Sequence, residues 1–263
     1  MIDKLLQDII QNEVKDNEVA VLLSGGIDSL SIAFSAHRLG KKVHAYTFHL
    51  EDEPSYDSKT AINVSKKFNW DINVIEVPKN NLINDWFILL RKYNCKKKTQ
   101  FECTFPFLYI IPKINEKFIL SGICADGWYG LSKKAMIHFS QTKTKFDQFR
   151  YDYFTQENPA GIMQLGMLCN DYNKTLIHPY LWHKTIENFF MKYNHKQLHH
   201  KVQKCHVRNA FSNELLKIDK IKPHLNLQLE AKIDKLFEHL LTNKQININN
   251  RKRVMDICRD WNK

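Results

Sequence analysis

The chain has 263 residues, of which 43% are hydrophobic and 12% aromatic, so it has enough apolar side chains to bury a core. No apolar run approaches the ~20 residues that a membrane helix needs, and the polar, helix-like start does not fit a signal peptide. We therefore expect a cytoplasmic protein with no membrane partner. The net charge of +11 favours anionic ligands: nucleotides, pyrophosphate, nucleic acid or an acidic protein.

The six cysteines are scattered along the chain without a Cys-x-x-Cys pair. This spacing predicts neither a disulfide framework nor a zinc or iron–sulfur site. His195, His199 and His200 come closest to a metal cluster, because the first two lie one helical turn apart. A third ligand at a convincing spacing is missing nearby, so we do not predict a metal site there.

From residue 1 to about residue 130, short apolar runs alternate with amphipathic segments. This alternation predicts an α/β fold, in which a doubly wound parallel sheet has helices on both faces and binds ligands at the carboxyl ends of its strands. The predicted strands are Val19–Leu23, Val43–Phe48, Ile72–Val77 and Phe118–Leu120. The predicted helices are Leu30–Leu39, Lys59–Phe68, Leu82–Tyr93 and roughly Phe107–Ile114.

Beyond residue 130 the strand pattern fades, and the rest of the chain reads as helices and loops. We expect residues 1–150 to form the α/β core, and residues 151–263 to form a helical C-terminal part that completes the active site. The predicted helices of this part are Ile162–Cys169, Trp182–Tyr193, Lys201–Leu216, Leu227–Leu241 and Arg251–Trp261.

A glycine pair follows the first predicted strand directly, in the segment Ser-Gly-Gly-Ile-Asp-Ser at residues 24–29. Gly25 and Gly26 allow a sharp turn and a close approach of the backbone to a ligand. The N–H groups that open the next helix favour an anion, and the two serines add hydroxyl donors. Asp28 would repel a bare phosphate, so its presence predicts a bridging Mg²⁺ ion.

This segment resembles the pyrophosphate loop of the N-type ATP pyrophosphatase (PP-loop) superfamily, whose members split ATP into AMP and pyrophosphate. It lacks the Gly-x-x-x-x-Gly-Lys-Ser/Thr pattern of kinase-type phosphate loops. The resemblance implies an adenine nucleotide alpha hydrolase-like fold, with Phe48, at the end of the second strand, near the adenine. The residues implied in this part of the ATP and pyrophosphate site are Leu23, Ser24, Gly25, Gly26, Ile27, Asp28, Ser29 and Phe48.

A second motif, "FILSGICADGWYG" at residues 118–130, is similar to the "LSGxGADExFGGY" segment of asparagine synthetases and β-lactam synthetases. The resemblance places Ser121 and Gly122 at the nucleotide and makes Asp126 a magnesium ligand beside Asp28. Three residues depart from the family pattern: Ile123 and Gly127 replace acidic residues, and Cys124 replaces a glycine. Because the position of Ile123 is tied in the family to the acceptor or the nitrogen nucleophile, its change argues against plain asparagine synthesis.

A third motif, "VQKCHVRNAF" at residues 202–211, places Lys204 and Arg208 four residues apart, on one face of the predicted helix. It resembles the family's "EKHxLRxAF" helix and follows a segment similar to the family's "PFLDxxLVEFA" region. The resemblance implies that Lys204 contacts pyrophosphate and the acyl-adenylate as a catalytic residue, with Arg208 at the phosphates.

Together the motifs predict an ATP-dependent, AMP-forming amide or C–N synthetase, with Asp28, Asp126 and Lys204 as its catalytic residues. Few residues precede the first strand, so we expect no glutaminase domain in this chain. The nitrogen would come from free ammonia, an amine or a separate glutaminase subunit. The acceptor would be a small molecule or, given the basic charge, a nucleobase of tRNA or DNA. An NAD- or GMP-synthetase-like enzyme and a degenerate nucleotide-binding subunit are the alternatives.

Overall fold

A computed structural model describes residues 1–157, 161–181, 183–218 and 227–237. Within these residues, five parallel strands form one sheet in the order β3-β2-β1-β4-β5. The strands are β1 Glu18–Leu22, β2 Lys42–Leu50, β3 Asp71–Val77, β4 Phe118–Ser121 and β5 Thr175–Ile177.

Helices connect the strands and continue after the last one. A 3₁₀ turn (Ile111–Lys113) and two π-helical turns (Ala135–Phe139 and Tyr153–Glu157) also lie among the described residues. The helices are α1 Ile2–Glu13, α2 Ile27–Arg38, α3 Tyr56–Phe68, α4 Leu82–Lys92, α5 Lys98–Thr104, α6 Phe107–Ile110, α7 Ala125–Tyr129, α8 Lys143–Asp152, α9 Ile162–Asp171, α10 Lys184–Phe190, α11 His195–Leu198, α12 Cys205–Ala210, α13 Ser212–Leu215 and α14 Leu227–Glu230.

Helices cover both faces of the sheet. Alternate side chains of a strand point to opposite faces, so neighbouring residues of one strand join different apolar clusters. Val19 and Val21 of β1 join one apolar cluster with α1, α2 and α12. Ala20, between them, joins a second cluster with α4, α5 and α9. A parallel strand covered on both faces is mostly apolar, as β1 is after its exposed first residue, Glu18. The predicted doubly wound α/β fold is confirmed.

Strand β5 is a correction to the prediction of helices and loops beyond residue 130. It extends the sheet by pairing with β4, Leu176 beside Ile119 and Ile177 beside Leu120. A strand of three residues is too short to show the alternation that identifies strands in a sequence. The division between residues 150 and 151 stays a prediction; it falls inside α8, and part of the sheet follows it.

The predicted helix Lys201–Leu216 is wrong in its first turn and interrupted later. Lys204 has a left-handed backbone with φ +58°, so helix α12 begins only at Cys205, and α13 is a separate helix. Lys204 and Arg208 therefore do not share a helix face. Two predicted segments, Arg251–Trp261 and the end of Leu227–Leu241, lie outside the described residues. None of the described helices combines the length and apolar character needed to cross a bilayer.

Candidate active site

The glycine loop joins the carboxyl end of β1 to the first turn of α2. The N–H of Leu23 donates to the Tyr46 carbonyl over 2.8 Å, which continues the ladder between β1 and β2 by one residue. Gly25 then turns the chain with φ +74°, and a Cβ atom there would lie 2.5 Å from Thr60 Cγ2. Glycine is required at this position both for the backbone angle and for the contact with α3.

Two serine hydroxyls hold the loop in shape. Ser29 Oγ donates to the Gly26 carbonyl over 3.0 Å and lies 3.1 Å from Ser24 Oγ. It also accepts the Ser24 N–H over 3.2 Å. Because Ser29 Oγ has one proton and already donates it, its role as a phosphate donor stays a prediction. The first N–H groups of α2 have no partner within the helix and favour an anion at this end.

The second predicted loop, after β4, lies directly against the start of α2. A Cβ atom on Gly122 would lie 2.6 Å from both the Asp28 carbonyl carbon and the Ser29 nitrogen, so no side chain fits between the two loops. Ser121 Oγ accepts the Ile123 N–H over 3.1 Å, which shapes the turn. The close contact between the two loops places the start of α7, whose first turn contains Asp126, near Asp28.

The structure shows the surroundings of two departures from the family motif. Cys124 has φ +81°, an angle that favours glycine, which is the residue in the family pattern. A Cβ atom on Gly127 would lie 2.2 Å from Tyr153 Cε1, so the ring of Tyr153 lies where the family's acidic side chain would be. Burial also raises the pKa of the Cys124 thiol, which disfavours a thiolate nucleophile.

The side chain of Lys204 joins the two predicted carboxylates. Its Nζ atom lies 2.5 Å from Asp28 Oδ2 and 2.7 Å from Asp126 Oδ1. The lysine is 1% exposed, and burial opposes its charge. The attraction of Asp28 and Asp126 outweighs burial and raises the pKa of Lys204, so the ammonium group is charged.

The carboxylates of Asp28 and Asp126 also fit a magnesium ion. Each places an oxygen within hydrogen-bond distance of Lys204 Nζ, so the two oxygens converge on the point that the ammonium group occupies, and an ion bound by both oxygens would require the ammonium group to move aside. Convergent carboxylate oxygens are the ligands that Mg²⁺ takes in phosphate-binding sites. The donor set therefore suits the predicted ion.

Other predicted residues lie at the edges of this group. Arg208 donates from Nε to the Gln203 carbonyl over 2.8 Å. Burial lowers the pKa of Arg208, and the negative charge of Asp28 opposes that shift. Phe48, half-buried at the end of β2, packs against Phe107 with ring centroids 6.2 Å apart. Their predicted contacts with phosphate and adenine remain predictions.

The sequence analysis assigned no role to the aromatic residues behind the site. Trp128 Nε1 donates to the Tyr180 carbonyl over 2.7 Å, and the Tyr180 hydroxyl lies 2.8 Å from Ser31 Oγ of α2. Tyr129 is fully buried, and the ammonium group of Lys204 lies 5.4 Å from its ring centroid. These residues connect α7, α2 and the segment after β5. Aromatic residues at such spacings are typical of any core, so their pattern carried no functional signal.

The solved structures that are similar to the chain include two of low sequence identity. One is the predicted subunit of a tRNA methyltransferase from Methanocaldococcus jannaschii: 17% identity, 74% of this chain and 87% of that chain covered, TM-score 0.37. The other is an NH3-dependent NAD synthetase from Campylobacter jejuni: 16% identity, 86% of this chain and 96% of that chain covered, TM-score 0.35. No curated protein matches the chain.

The sequence model of one family, described as asparagine synthase, matches residues 1–220. The matched range contains all three predicted motifs, from the glycine loop to the segment around Lys204, and covers most of the 263 residues. The family resemblance predicted from those motifs is therefore confirmed, and the chain belongs to the asparagine synthase family.

Proposed function

We propose that this chain is an ATP-dependent synthetase that activates its acceptor by adenylation and releases pyrophosphate. The observation that carries the proposal is the convergence of Asp28, Asp126 and the buried Lys204 ammonium at the carboxyl ends of β1 and β4. The N-terminal ends of three helices that are far apart in the sequence, α2, α7 and α12, supply these groups. Charged groups fixed around one point are what phosphoryl and nucleotidyl transfer require.

In the first step, a carboxylate or carbonyl oxygen of the acceptor attacks the α-phosphorus of ATP. The new P–O bond forms as the bond from the α-phosphorus to the bridging oxygen breaks, and pyrophosphate leaves with that electron pair. Lys204 offsets the negative charge that builds up on the phosphate oxygens. Asp28 and Asp126 would hold Mg²⁺, which would neutralise the triphosphate and the departing pyrophosphate.

In the second step, a nitrogen nucleophile attacks the activated carbon and expels AMP, which leaves a C–N bond. The nitrogen comes from ammonia, from an amine or from ammonia that a separate glutaminase subunit delivers. Ile123 lies beside this site without a charged group, and it packs against both apolar clusters. We therefore propose an acceptor other than aspartate. We also propose that the reaction takes place in the cytoplasm.

The test is the exchange of radiolabelled pyrophosphate into ATP, with individual amino acids and then a small-molecule cell extract as the acceptor source. We expect exchange that depends on the acceptor and is lost in Asp28→Asn and Asp126→Asn. Asp8→Asn, an exposed carboxylate of α1, is the matched control and should retain exchange. Formation of ADP instead of AMP would contradict the proposal, and ATP binding without any turnover would indicate a degenerate subunit.

A nucleobase acceptor is the second candidate, and the net charge of +11 is the observation that favours it. Addition of bulk tRNA or DNA to the exchange assay separates the two classes. A nucleobase acceptor predicts exchange that requires the nucleic acid, together with binding that weakens steeply as salt rises. Exchange supported by small molecules alone would assign the acceptor to the first class.

A further inference from the structure

The imidazoles of the His-x-x-x-His pair at residues 195 and 199 are hydrogen-bonded to backbone carbonyls. His199 Nε2 donates to the Tyr129 carbonyl over 2.8 Å, and His195 Nε2 donates to the Gly130 carbonyl over 3.3 Å. The two imidazoles, whose ring centroids lie 4.5 Å apart, thus point at two separate carbonyls at the end of α7. Among the described residues, neither histidine belongs to a group of three metal-ligating side chains.

The second nitrogen of His199 faces the backbone of the lysine in the active site. The N–H of Lys204 donates to His199 Nδ1 over 3.3 Å. Because Nδ1 accepts and Nε2 donates, the imidazole has to be neutral with its proton on Nε2. Burial lowers the pKa of His199 to about 4, the Tyr129 carbonyl opposes this, and the nearby His195, Lys204 and Arg150 assist it. The neutral form is therefore the one present at neutral pH.

The backbone of Lys204 needs such an anchor. Its φ of +58° is unusual for a residue with a side chain, and the preceding turn contains a second such residue, Lys201, at +61°. A left-handed backbone at a non-glycine residue costs of order 1–3 kcal/mol and persists where neighbouring contacts hold it. The direction in which the lysine side chain leaves the backbone depends on this angle.

We propose that His199 is a positioning residue for Lys204. It joins the carbonyl end of α7, whose first turn carries Asp126, to the amide of the residue whose ammonium group binds Asp126 and Asp28. The two ends of α7 thereby hold the backbone and the side chain of the same lysine. The proposal rests on the proposed function for its catalytic consequence, but the anchoring itself is independent of it.

Two amide variants separate the two contacts of His199. In His199→Asn the side-chain oxygen takes the place of Nδ1 and accepts the Lys204 N–H. In His199→Gln the amide nitrogen takes the place of Nε2 and donates to Tyr129, while the acceptor for Lys204 is lost. His195→Gln is the matched control, because His195 bonds the neighbouring carbonyl and makes no contact with Lys204.

The readout in the absence of substrates is hydrogen exchange at the Lys204 amide. We expect faster exchange in His199→Gln than in the wild type, with protection retained in His199→Asn and His195→Gln. Unchanged exchange in His199→Gln would overturn the proposal. If the variants do not fold, ring ¹⁵N shifts of His199 in the wild type decide instead. A proton on Nε2 alone supports the proposal, and a proton on Nδ1 at neutral pH contradicts it.

The catalytic readout is the pyrophosphate exchange assay. We expect kcat in His199→Gln to fall about 10- to 100-fold, the scale of a displaced catalytic group, with KM for ATP nearly unchanged. His199→Asn should recover part of this loss. An equal loss in His195→Gln would indicate general packing and overturn the proposal. If no acceptor supports exchange in any variant while the amide result holds, the proposed function fails and the anchoring stands.

Discussion

Gly122 shows how a single residue sets the spacing between two loops of the site. A methyl group there would lie 2.6 Å from backbone atoms of Asp28 and Ser29, neither of which can rotate away. We expect Gly122→Ala to lower the free energy of unfolding by about 1–3 kcal/mol, the usual cost of overpacking. Urea denaturation measures this loss, and equilibrium binding of ATP should weaken in parallel.

The control for this prediction is Gly166, in the interior of α9. An added Cβ atom there meets nothing within 4 Å. Since glycine in a helix is less stable than alanine by roughly 0.5–1 kcal/mol, Gly166→Ala should stabilise the protein by that amount. If both variants were equally stable, the contact between the two loops would be looser than the structure indicates.

Gly127 and Tyr153 form a pair that a double-mutant cycle can test. Restoration of the family's acid in Gly127→Asp would push a side chain into the Tyr153 ring, since even a Cβ atom would lie 2.2 Å from it. We expect this variant to be destabilised by about 1–3 kcal/mol. The same substitution in a Tyr153→Ala background should cost clearly less, and additive effects would argue against the contact.

Among single residues, the sequence predicted the charged residues of the site and not the residues that support them. Asp28 and Asp126 follow strands in glycine-bearing segments, and Lys204 matches a family motif. His199 and Tyr129 were not predicted because they act through a backbone amide and a carbonyl, which any residue possesses. Only the fold shows which carbonyl faces which imidazole.

Among the elements, the helices around α7 depend on one buried arginine. Arg150 of α8 is 0% exposed and donates from Nε to the Trp128 carbonyl over 3.0 Å. Its Nη1 atom donates to the carbonyls of Phe190 and Tyr193, over 3.0 and 3.2 Å. One guanidinium group thus joins α7, α8 and the end of α10. Its charge is balanced in part by Asp147, 3.0 Å away.

We expect Arg150→Lys to destabilise the protein by about 3 kcal/mol or more, although the charge is kept. A single ammonium group cannot replace the planar fork, and buried carbonyls lose their donors. Arg91→Lys, at an exposed position of α4, is the matched control and should change stability by less than about 0.5 kcal/mol. Thermal unfolding of the two variants measures the difference, and equal midpoints would contradict the role of Arg150.

The elements that sequence patterns predicted are those with a clear period. Strands β1 to β4 have apolar runs or alternating apolar residues, and helices such as α2 and α9 have apolar faces; their predicted positions match to within a few residues. Strand β5 and the five-residue helix α7 have too few residues for a period. Strand β5 depends on pairing with β4. Helix α7 depends on the preceding loop, in which Gly122 permits close contact with the start of α2.

For the whole molecule, partly buried imidazoles with lowered pKa values make stability depend on pH. Burial lowers the pKa of His178 and of His199 to about 4, below the usual value of 6.5 for an imidazole. The unfolded chain therefore takes up protons at a higher pH than the folded chain does. The contribution of these imidazoles to the free energy of unfolding should be complete above pH 6.5 and decrease as the pH falls from 6.5 toward 4.

His178 tests this prediction most directly, because both of its ring nitrogens are buried without a hydrogen-bond partner. His178→Leu should flatten the decrease in unfolding free energy between pH 6.5 and 4, measured by urea denaturation at several pH values. The exposed His200→Gln is the control and should keep the slope of the wild type. An unchanged slope in His178→Leu would show that this imidazole is not the source.

The contacts that hold the site together join residues far apart in the chain, and this has a consequence for synthesis on the ribosome. Lys204 pairs with Asp28, Glu214 with Arg38 of α2, and β5 covers β4 only after residue 177 has been made. Non-local contacts of this kind slow folding and leave apolar surface and strand edges open meanwhile. A nascent chain arrested at residue 150 should therefore remain sensitive to protease, and chaperones should bind it until the segment around Glu214 has emerged.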